Sequence, residues 1–324
     1  MELLFTKEID QQLLEKEFKK FFKENDTVAL KLHYGEEGNK TSLKPMYAKV
    51  VVDALKSIGA KPFLFDSSVK YPSPRNNPEG HRETAKAQGF TEEAIGCPLV
   101  FSDDFIIEKT KHMDVEVCKP LADADGMVVL THVKGHACSG MGGAIKNLGM
   151  GGVTKDTKSV QHDLSSVKYI GGCVGCKLCE ELCPANGITV TDHPVISYCI
   201  GCNVCYIHCP EKCFKIKGKP FDLLLSEAAS AVLKRVPKVF YINVMKNITR
   251  FCDCASDSGD IISDDIGVLY GKDIVAIDLA SIELINKKAG TDIFLKANHK
   301  PAQGHVLEAE KLKMGTIKYI IREV

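Results

Sequence analysis

Residues 126–152 have the sequence GMVVLTHVKGHACSGMGGAIKNLGMGG. The first seven, GMVVLTH, lack the alternation of a half-exposed strand and predict a strand that is buried on both faces. Strands of that kind occur in parallel sheets that helices cover on both sides. The glycine-rich remainder predicts a long connection after the strand. This stretch therefore indicates the centre of a parallel sheet.

Further strand patterns alternate with helical patterns along the chain. Short apolar runs predict strands over Thr27–His33, Pro62–Phe65 and Val239–Val244. Apolar positions at helical spacing predict helices over residues 7–23, 45–58, 79–88, 227–234 and 281–288. Because strands and helices alternate, we predict an α/β fold with a mostly parallel, layered sheet.

The composition indicates a globular protein, since 44% of the 324 residues are apolar and 26% are charged. The 42 basic and 42 acidic residues cancel, so charge gives no reason to expect nucleic acid or an anionic membrane as a partner. No stretch reaches the roughly 18 apolar residues of a membrane span. The first ten residues, MELLFTKEID, lack the pattern of a signal peptide. We therefore predict a cytoplasmic protein.

Cysteine is the unusual part of the composition, with 14 residues, eight of which lie between Cys173 and Cys209. These eight form two copies of Cys-x-x-Cys-x-x-Cys-x-x-x-Cys-Pro, which begin at Cys173 and Cys199. Such crowding in a cytoplasmic chain indicates metal ligands rather than disulfides. Thiolates are soft ligands that favour iron–sulfur clusters.

Both copies resemble, at all eight cysteines, the motif of bacterial two-cluster ferredoxins, in which the fourth cysteine of each motif binds the other cluster. The resemblance implies two [4Fe–4S] clusters and the transfer of single electrons, and it favours an anaerobic setting. One cluster would be bound by Cys173, Cys176, Cys179 and Cys209, and the other by Cys199, Cys202, Cys205 and Cys183. Structural zinc is the alternative, although zinc sites usually set two ligand pairs well apart.

The cysteine repeat also divides the chain. The α/β pattern stops near residue 165 and resumes near residue 221. We therefore predict that residues 1–165 and 220–324 are the two parts of one α/β domain, and that 166–219 form an inserted α+β ferredoxin-like domain with two clusters. An insertion is tied to the larger domain at both ends, which would hold the clusters against it.

Histidines and cysteines outside the repeat are candidates for a second site. Predicted strands end at His33 and His132, with His136 close behind, and ligands of open parallel sheets bind beyond the carboxyl ends of the strands. Cys252 and Cys254 follow another predicted strand and point to one side of an extended chain. One interpretation is a third metal or a redox group at Cys252 and Cys254, with His132 and His136. The other is hydrogen-bonded structural histidines and two buried cysteines.

The glycine-rich connection is a candidate for binding an anion, because Ser139–Gly152 can expose backbone amides. Lys134 and Lys146 flank it, and with His33 they are the candidates for holding a cofactor or a small anionic substrate. The glycine spacing matches neither a Walker loop nor the dinucleotide fingerprint. A connection that serves close packing alone is the alternative.

Several stretches resemble a known family, among them ALKLHYGEEGN (29–39), THVKGHACSGMGGAIKNLGMG (131–151) and DDIGVLYGKDIVAIDLAS (264–281). The family is the uncharacterised iron–sulfur centre proteins, a domain of unknown function that carries an inserted two-cluster ferredoxin. The resemblance extends over nearly the whole chain and implies no particular substrate. Members often have Cys-x-Cys at the place of Cys252 and Cys254, and Lys-Gly-His at the place of Lys134–His136, which implies a site there.

The leading hypothesis is an iron–sulfur oxidoreductase. Two [4Fe–4S] clusters would pass single electrons from a ferredoxin-like partner protein to a site at Cys252, Cys254, His132 and His136. One alternative is a ferredoxin-like electron carrier whose α/β part is a docking scaffold for a partner. Another is a carrier that delivers a metal or cluster for the assembly of another enzyme.

Overall fold

The computed structural model describes residues 1–324. The first part of the chain contains β1 (Glu2–Thr6), α1 (Gln11–Lys19), β2 (Thr27–Lys31), α2 (Pro45–Ser57), β3 (Lys61–Phe65), a 3₁₀ turn (Pro74–Asn76), α3 (Pro78–Ala87), α4 (Glu92–Ile95), β4 (Leu99–Val100), β5 (Phe105–Lys109), β6 (Asp114–Cys118), α5 (Lys119–Ala122), β7 (Gly126–His132), β8 (Lys134–His136), β9 (Gly140–Gly142), α6 (Ala144–Gly151) and α7 (Lys155–Ser165). The cysteine-rich part contains β10 (Val167–Tyr169), α8 (Leu178–Glu181), β11 (Ile188–Val190), β12 (Pro194–Ile196), α9 (Val204–His208) and β13 (Phe214–Ile216). The last part contains α10 (Phe221–Arg235), β14 (Val239–Met245), β15 (Ile248–Thr249), β16 (Ile261–Ser263), β17 (Gly267–Gly271), α11 (Ile274–Ala289), α12 (Ile293–Asn298), α13 (Gly304–Lys311) and β18 (Ile320–Glu323).

The centre of the molecule is an eight-stranded sheet with the order β18-β1-β17-β14-β7-β2-β3-β4. The five strands from β14 to β4 run parallel to their neighbours. On the other side, β17 is antiparallel to β14 and to β1, while β18 is parallel to β1. The structure therefore confirms a mixed α/β fold with a large, mostly parallel sheet and 13 helices.

Two apolar layers cover the sheet, one on each face. Alternate residues of β7 enter different layers: Met127 and Val129 pack on one side, and Val128 and Leu130 on the other. Six of the seven residues of β7 are buried, which confirms the prediction from GMVVLTH. Helices α6, α10 and α11 lie on the first face, and α1 and α2 lie on the second.

Most predicted elements are present with shifted bounds, and the largest shifts are in α10 and α11. These helices begin at Phe221 and Ile274 rather than at residues 227 and 281. The sequence pattern missed their first turns because nearly all of the residues there are buried. Buried helices lack the polar face on which a periodic pattern depends. The first helix is shorter than predicted, since the Asp10 side chain caps it by accepting a hydrogen bond from the Leu13 amide at 3.0 Å.

The cysteine-rich segment consists of two short antiparallel pairs, β10–β13 and β11–β12, with the helices α8 and α9. Its buried side chains form a small cluster of their own, which contains Val167, Ile188, Val190 and Phe214 besides cysteines. The loop before α9 contacts the α/β part, because the side-chain amide of Asn203 donates to the Ser165 carbonyl at 2.7 Å. None of the 13 helices has the length and apolar character needed to cross a membrane.

Candidate functional site

A cleft of about 520 Å³ opens at the carboxyl ends of the parallel strands. Its walls come from the ends of β2, β3 and β7, from α6, and from the loop after β15, which carries Cys252–Cys254. The segments that follow the strands of a parallel sheet meet at one edge, which is why parts of the chain more than 200 residues apart share this cleft.

Cys252 and Cys254 line the cleft, and His136 lies beside them. The two cysteines are joined by a disulfide. The two sulfur atoms and a ring nitrogen of His136 all lie within 4.8 Å of one another. Nδ1 of His136 accepts from the backbone amides of Cys138 and Ser139, each at 3.2 Å, so the proton of the neutral ring lies on Nε2. Nε2 can bind a metal once that proton moves to Nδ1, where the Ser139 hydroxyl oxygen, 2.9 Å away, can accept it because its own proton goes to the Met141 carbonyl at 2.8 Å.

His132 does not have a nitrogen free for a metal, so the structure corrects the expectation that it is a ligand. Its Nδ1 lies 3.0 Å from an Asp253 oxygen and its Nε2 lies 2.6 Å from the Lys246 carbonyl oxygen. Both partners can accept hydrogen bonds, so each ring nitrogen faces an acceptor and neither is free to bind a metal. His132 thus orients Asp253, the residue between the two cysteines.

Lys134 supports the same carboxylate and does not face the cleft as an anion-binding group. Its ammonium donates to Asp253 and, at 3.1 Å, to the Thr41 carbonyl. Burial alone would raise the pKa of Asp253, but His132 and Lys134 outweigh that effect and hold the pKa of this carboxyl below its usual range. The expected role of Lys134 in holding a ligand is therefore replaced by a structural ion pair.

Lys146, by contrast, lines the cleft, as its predicted role requires. Its Nζ lies 3.7 Å from the Cys252 sulfur, which is its one hydrogen-bond partner. Burial lowers the pKa of Lys146 to about 8. A cation at this position stabilises negative charge on the sulfur or on a ligand in the cleft.

His33 also lines the cleft, but its nitrogens are engaged. Nδ1 accepts from the Gly35 amide at 2.9 Å, and Nε2 lies 3.1 Å from Nη1 of Arg75. Burial, with the charge of Arg75, lowers the pKa of His33 well below its usual value. Arg75 is itself fully buried and pairs with Glu36 at 2.9 Å. His33 therefore shapes one wall of the cleft.

The sequence analysis missed Lys31, Asn147 and Asp253. Lys31 is fully buried at the end of β2, where its ammonium binds Asp66 at 3.0 Å and the Asn147 side chain at 2.7 Å. A lysine at the end of the otherwise apolar run TVALK was a usable signal, because charged residues are seldom fully buried without a partner.

The eight cysteines of the repeat separate into two groups of four. Cys173, Cys176, Cys179 and Cys209 line one cavity, together with Cys213. In the second group, burial and the neighbouring thiols of Cys202, Cys199 and Cys183 raise the pKa of Cys205. Each group thus combines three cysteines of one motif with the last cysteine of the other.

The distances between sulfur atoms within these groups are longer than those around a single bound ion. His136, Cys252 and Cys254 form the one set of three whose ligand atoms lie within 4.8 Å of one another. Tetrahedral zinc, with Zn–S bonds of about 2.3 Å, would bring its sulfur ligands to about 3.8 Å from each other. The repeat therefore forms no zinc-sized set of thiols.

Cys138 contacts the segment that carries the second cysteine group. Its thiol donates to the Ile200 carbonyl at 3.5 Å, and it packs in the same apolar cluster as Cys202. Burial and then the charge of Cys202 raise the pKa of Cys138, while Lys146 acts in the opposite direction. Cys138 thus links the α/β part to the repeat through its contact with Ile200.

The fold and these sites define an α/β protein with a cysteine-rich character that indicates metal binding. The chain belongs to the family described as Domain of unknown function (DUF362), which matches residues 28–283. No curated protein matches it.

Two solved structures are similar to the chain. A protein from Thermotoga maritima is 10% identical, with a TM-score of 0.42, and the match covers 74% of this chain and 52% of that one. The lactate racemase apoprotein from Thermoanaerobacterium thermosaccharolyticum is 12% identical, with a TM-score of 0.36, and the match covers 75% and 50%. The chain thus spans about half the length of each.

Proposed function

We propose that this protein is an iron–sulfur oxidoreductase. Residues 166–219 would form an inserted ferredoxin-like domain that binds two [4Fe–4S] clusters. The clusters would pass single electrons to the cleft, where Cys252, Cys254 and His136 form the receiving site. A ferredoxin-like protein would be the external electron donor.

The grouping of the eight cysteines is the observation that carries the proposal. The exchange of the last cysteine between motifs, Cys209 into the first group and Cys183 into the second, is the arrangement of two-cluster ferredoxins. The cavity at the first group and the wide thiol spacing fit a cluster better than a single ion. When bound, the clusters would supply one-electron transfer.

The position of the two groups supports a direction for the electrons. Cys176 of the first group is exposed, so that group is accessible to an external donor. Cys202 of the second group is buried in the large apolar cluster of the α/β part, and Cys138 of the same cluster donates to the Ile200 carbonyl between Cys199 and Cys202. This packing of a predicted cluster ligand into the α/β part favours an oxidoreductase over an electron carrier whose α/β part serves for docking alone.

Iron and acid-labile sulfide in anaerobically purified protein test the proposal. Wild type should contain about eight of each, since two cubane clusters hold that number. Cys209→Ser should lose iron from the first site. Cys213→Ala is the matched control, because Cys213 lines the same cavity and belongs to neither predicted ligand set. Zinc without sulfide, or equal iron loss in both variants, would overturn the proposal.

A further inference from the structure

The loop that carries Cys252–Cys254 is held in place independently of its disulfide. All three carbonyl oxygens of the loop accept hydrogen bonds: from the Ser258 hydroxyl at 3.2 Å, from the Glu36 amide at 2.9 Å and from the Tyr71 hydroxyl at 3.1 Å. The Asp253 side chain adds the contacts with His132 and Lys134. Opening the sulfur–sulfur bond therefore leaves both cysteines at the same end of the cleft.

His136 is fixed against this loop from the opposite side. Its strand, β8, packs so closely on the chain after β15 that a Cβ on Gly135 would overlap the Arg250 carbonyl oxygen. The Asn298 side chain closes the contact by donating to that same oxygen at 3.1 Å. The imidazole and the two sulfur atoms are thus held at one point by separate parts of the scaffold.

We propose that Cys252 and Cys254 form a two-electron redox couple that opens and closes a metal site with His136. While the disulfide is closed, neither sulfur is a thiolate, and thiolates are the form of cysteine that binds metal. Reduction breaks the sulfur–sulfur bond, and two electrons and two protons yield two thiols. A divalent cation then displaces both thiol protons and binds two thiolates and Nε2 of the neutral imidazole, whose ring proton moves from Nε2 to Nδ1.

The donor set selects a borderline-soft cation of the Zn²⁺ type. Two thiolates and one imidazole neutralise a divalent charge, and both are ligands that zinc prefers. Three protein ligands would leave the fourth position of a tetrahedral ion without a protein ligand, which is the pattern of a catalytic rather than a structural zinc site. Lys146, 3.7 Å from the Cys252 sulfur, stabilises the thiolate before the cation arrives.

The inference rests on the proposed function for the source of the electrons alone. Two [4Fe–4S] clusters that each give up one electron supply the two electrons that the disulfide consumes. A ferredoxin-like donor then reduces the clusters again. The metal site itself requires that the disulfide be reduced, and any two-electron reductant would serve.

Zinc uptake by the anaerobic protein with intact clusters tests the proposal. Oxidised protein, protein reduced by a phosphine, and protein whose clusters are reduced by dithionite are each mixed with Zn²⁺, desalted and analysed for zinc. Alkylation of Cys252 and Cys254, followed by mass spectrometry, reports the state of the disulfide. Wild type should gain one zinc per chain after either reduction and none when oxidised. The C252S/C254S variant should gain none in any state.

Cys97→Ala is the matched control, because Cys97 is a buried thiol outside the cleft, and this variant should take up zinc as wild type does. Equal zinc in oxidised and reduced wild type, or zinc retained by the double variant, would overturn the proposed redox control of the metal site. Zinc uptake after phosphine but not after dithionite would support redox control of the metal site and overturn the transfer of electrons from the clusters to the disulfide. The two proposals therefore fail in distinguishable ways.

Discussion

Replacing Asp253 by asparagine removes the negative charge on which the buried end of the cleft depends. Asp253 accepts hydrogen bonds from His132 and Lys134, and the Lys134 side chain is 1% exposed. Without the carboxylate, the Lys134 ammonium is left with the Thr41 oxygens as partners. Breaking a buried ion pair from one side costs about 3–5 kcal/mol. We expect Asp253→Asn to fall near the lower limit, because asparagine retains one oxygen acceptor.

A double variant separates the ion pair from the rest of the loop. Replacing Lys134 by methionine in the Asp253→Asn background removes the uncompensated charge, so the double variant should be more stable than Asp253→Asn. Asp257→Asn is the control in the same loop, since Asp257 is exposed and caps one amide, that of Gly259. It should change the free energy of unfolding by about 0.5 kcal/mol or less.

Urea unfolding under anaerobic conditions measures these differences at matched iron content. Circular dichroism is the suitable probe, because the chain has no tryptophan. The reasoning is refuted if Asp253→Asn unfolds with a free energy within about 1 kcal/mol of wild type, since that is less than a buried charge should cost. The ion-pair account would equally be contradicted if the double variant lost as much free energy of unfolding as Asp253→Asn and Lys134→Met lose together.

Two further predictions concern other parts of the scaffold. His81 lies 3.7 Å from Asp66, and burial lowers its pKa to about 3, so it stays neutral in the folded protein while the unfolded chain takes up a proton below about pH 6.5. Lowering the pH from 7 to 5 should therefore reduce the free energy of unfolding of wild type by about 2 kcal/mol. Urea unfolding at the two pH values should show that the His81→Leu variant lacks this loss. Parallel pH profiles for the two proteins would contradict a neutral, buried His81. Gly135→Ala should push β8 away from the Arg250 carbonyl and lower zinc uptake by the reduced protein without lowering its iron content. Wild-type zinc uptake by Gly135→Ala would refute the packing argument.

Local patterns predicted the features of this protein that depend on residues close together in the chain. The buried strand β7 followed from its apolar sequence, and the α/β alternation followed from the helical and strand periods. The spacing of the eight cysteines led to the two ligand sets that remain the basis of the proposed function. These inferences succeed because a strand, a helix or a ligand loop is set by fewer than about 20 consecutive residues.

The same patterns did not reveal the antiparallel side of the sheet. Strands β1, β17 and β18 come from the two ends of the chain, and β1 pairs with β17 across more than 250 residues. The sequence also suggested His132 as a metal ligand and Lys134 as an anion-binding residue. In the structure both side chains are hydrogen-bonded to Asp253.

The chemistry of the cleft was therefore decided by the tertiary structure. The residue types, cysteine, histidine and lysine, were visible in the sequence, but their roles depend on which partner each one meets. His136 meets Cys252 and Cys254, whereas His132 meets Asp253, although the two histidines are four residues apart. Strand order and loop packing bring these distant residues together, and a one-dimensional pattern does not encode a contact between residues more than 100 positions apart. The sequence by itself determined the layered fold and the cysteine repeat, and the packing of the chain determined which side chains remain free to act.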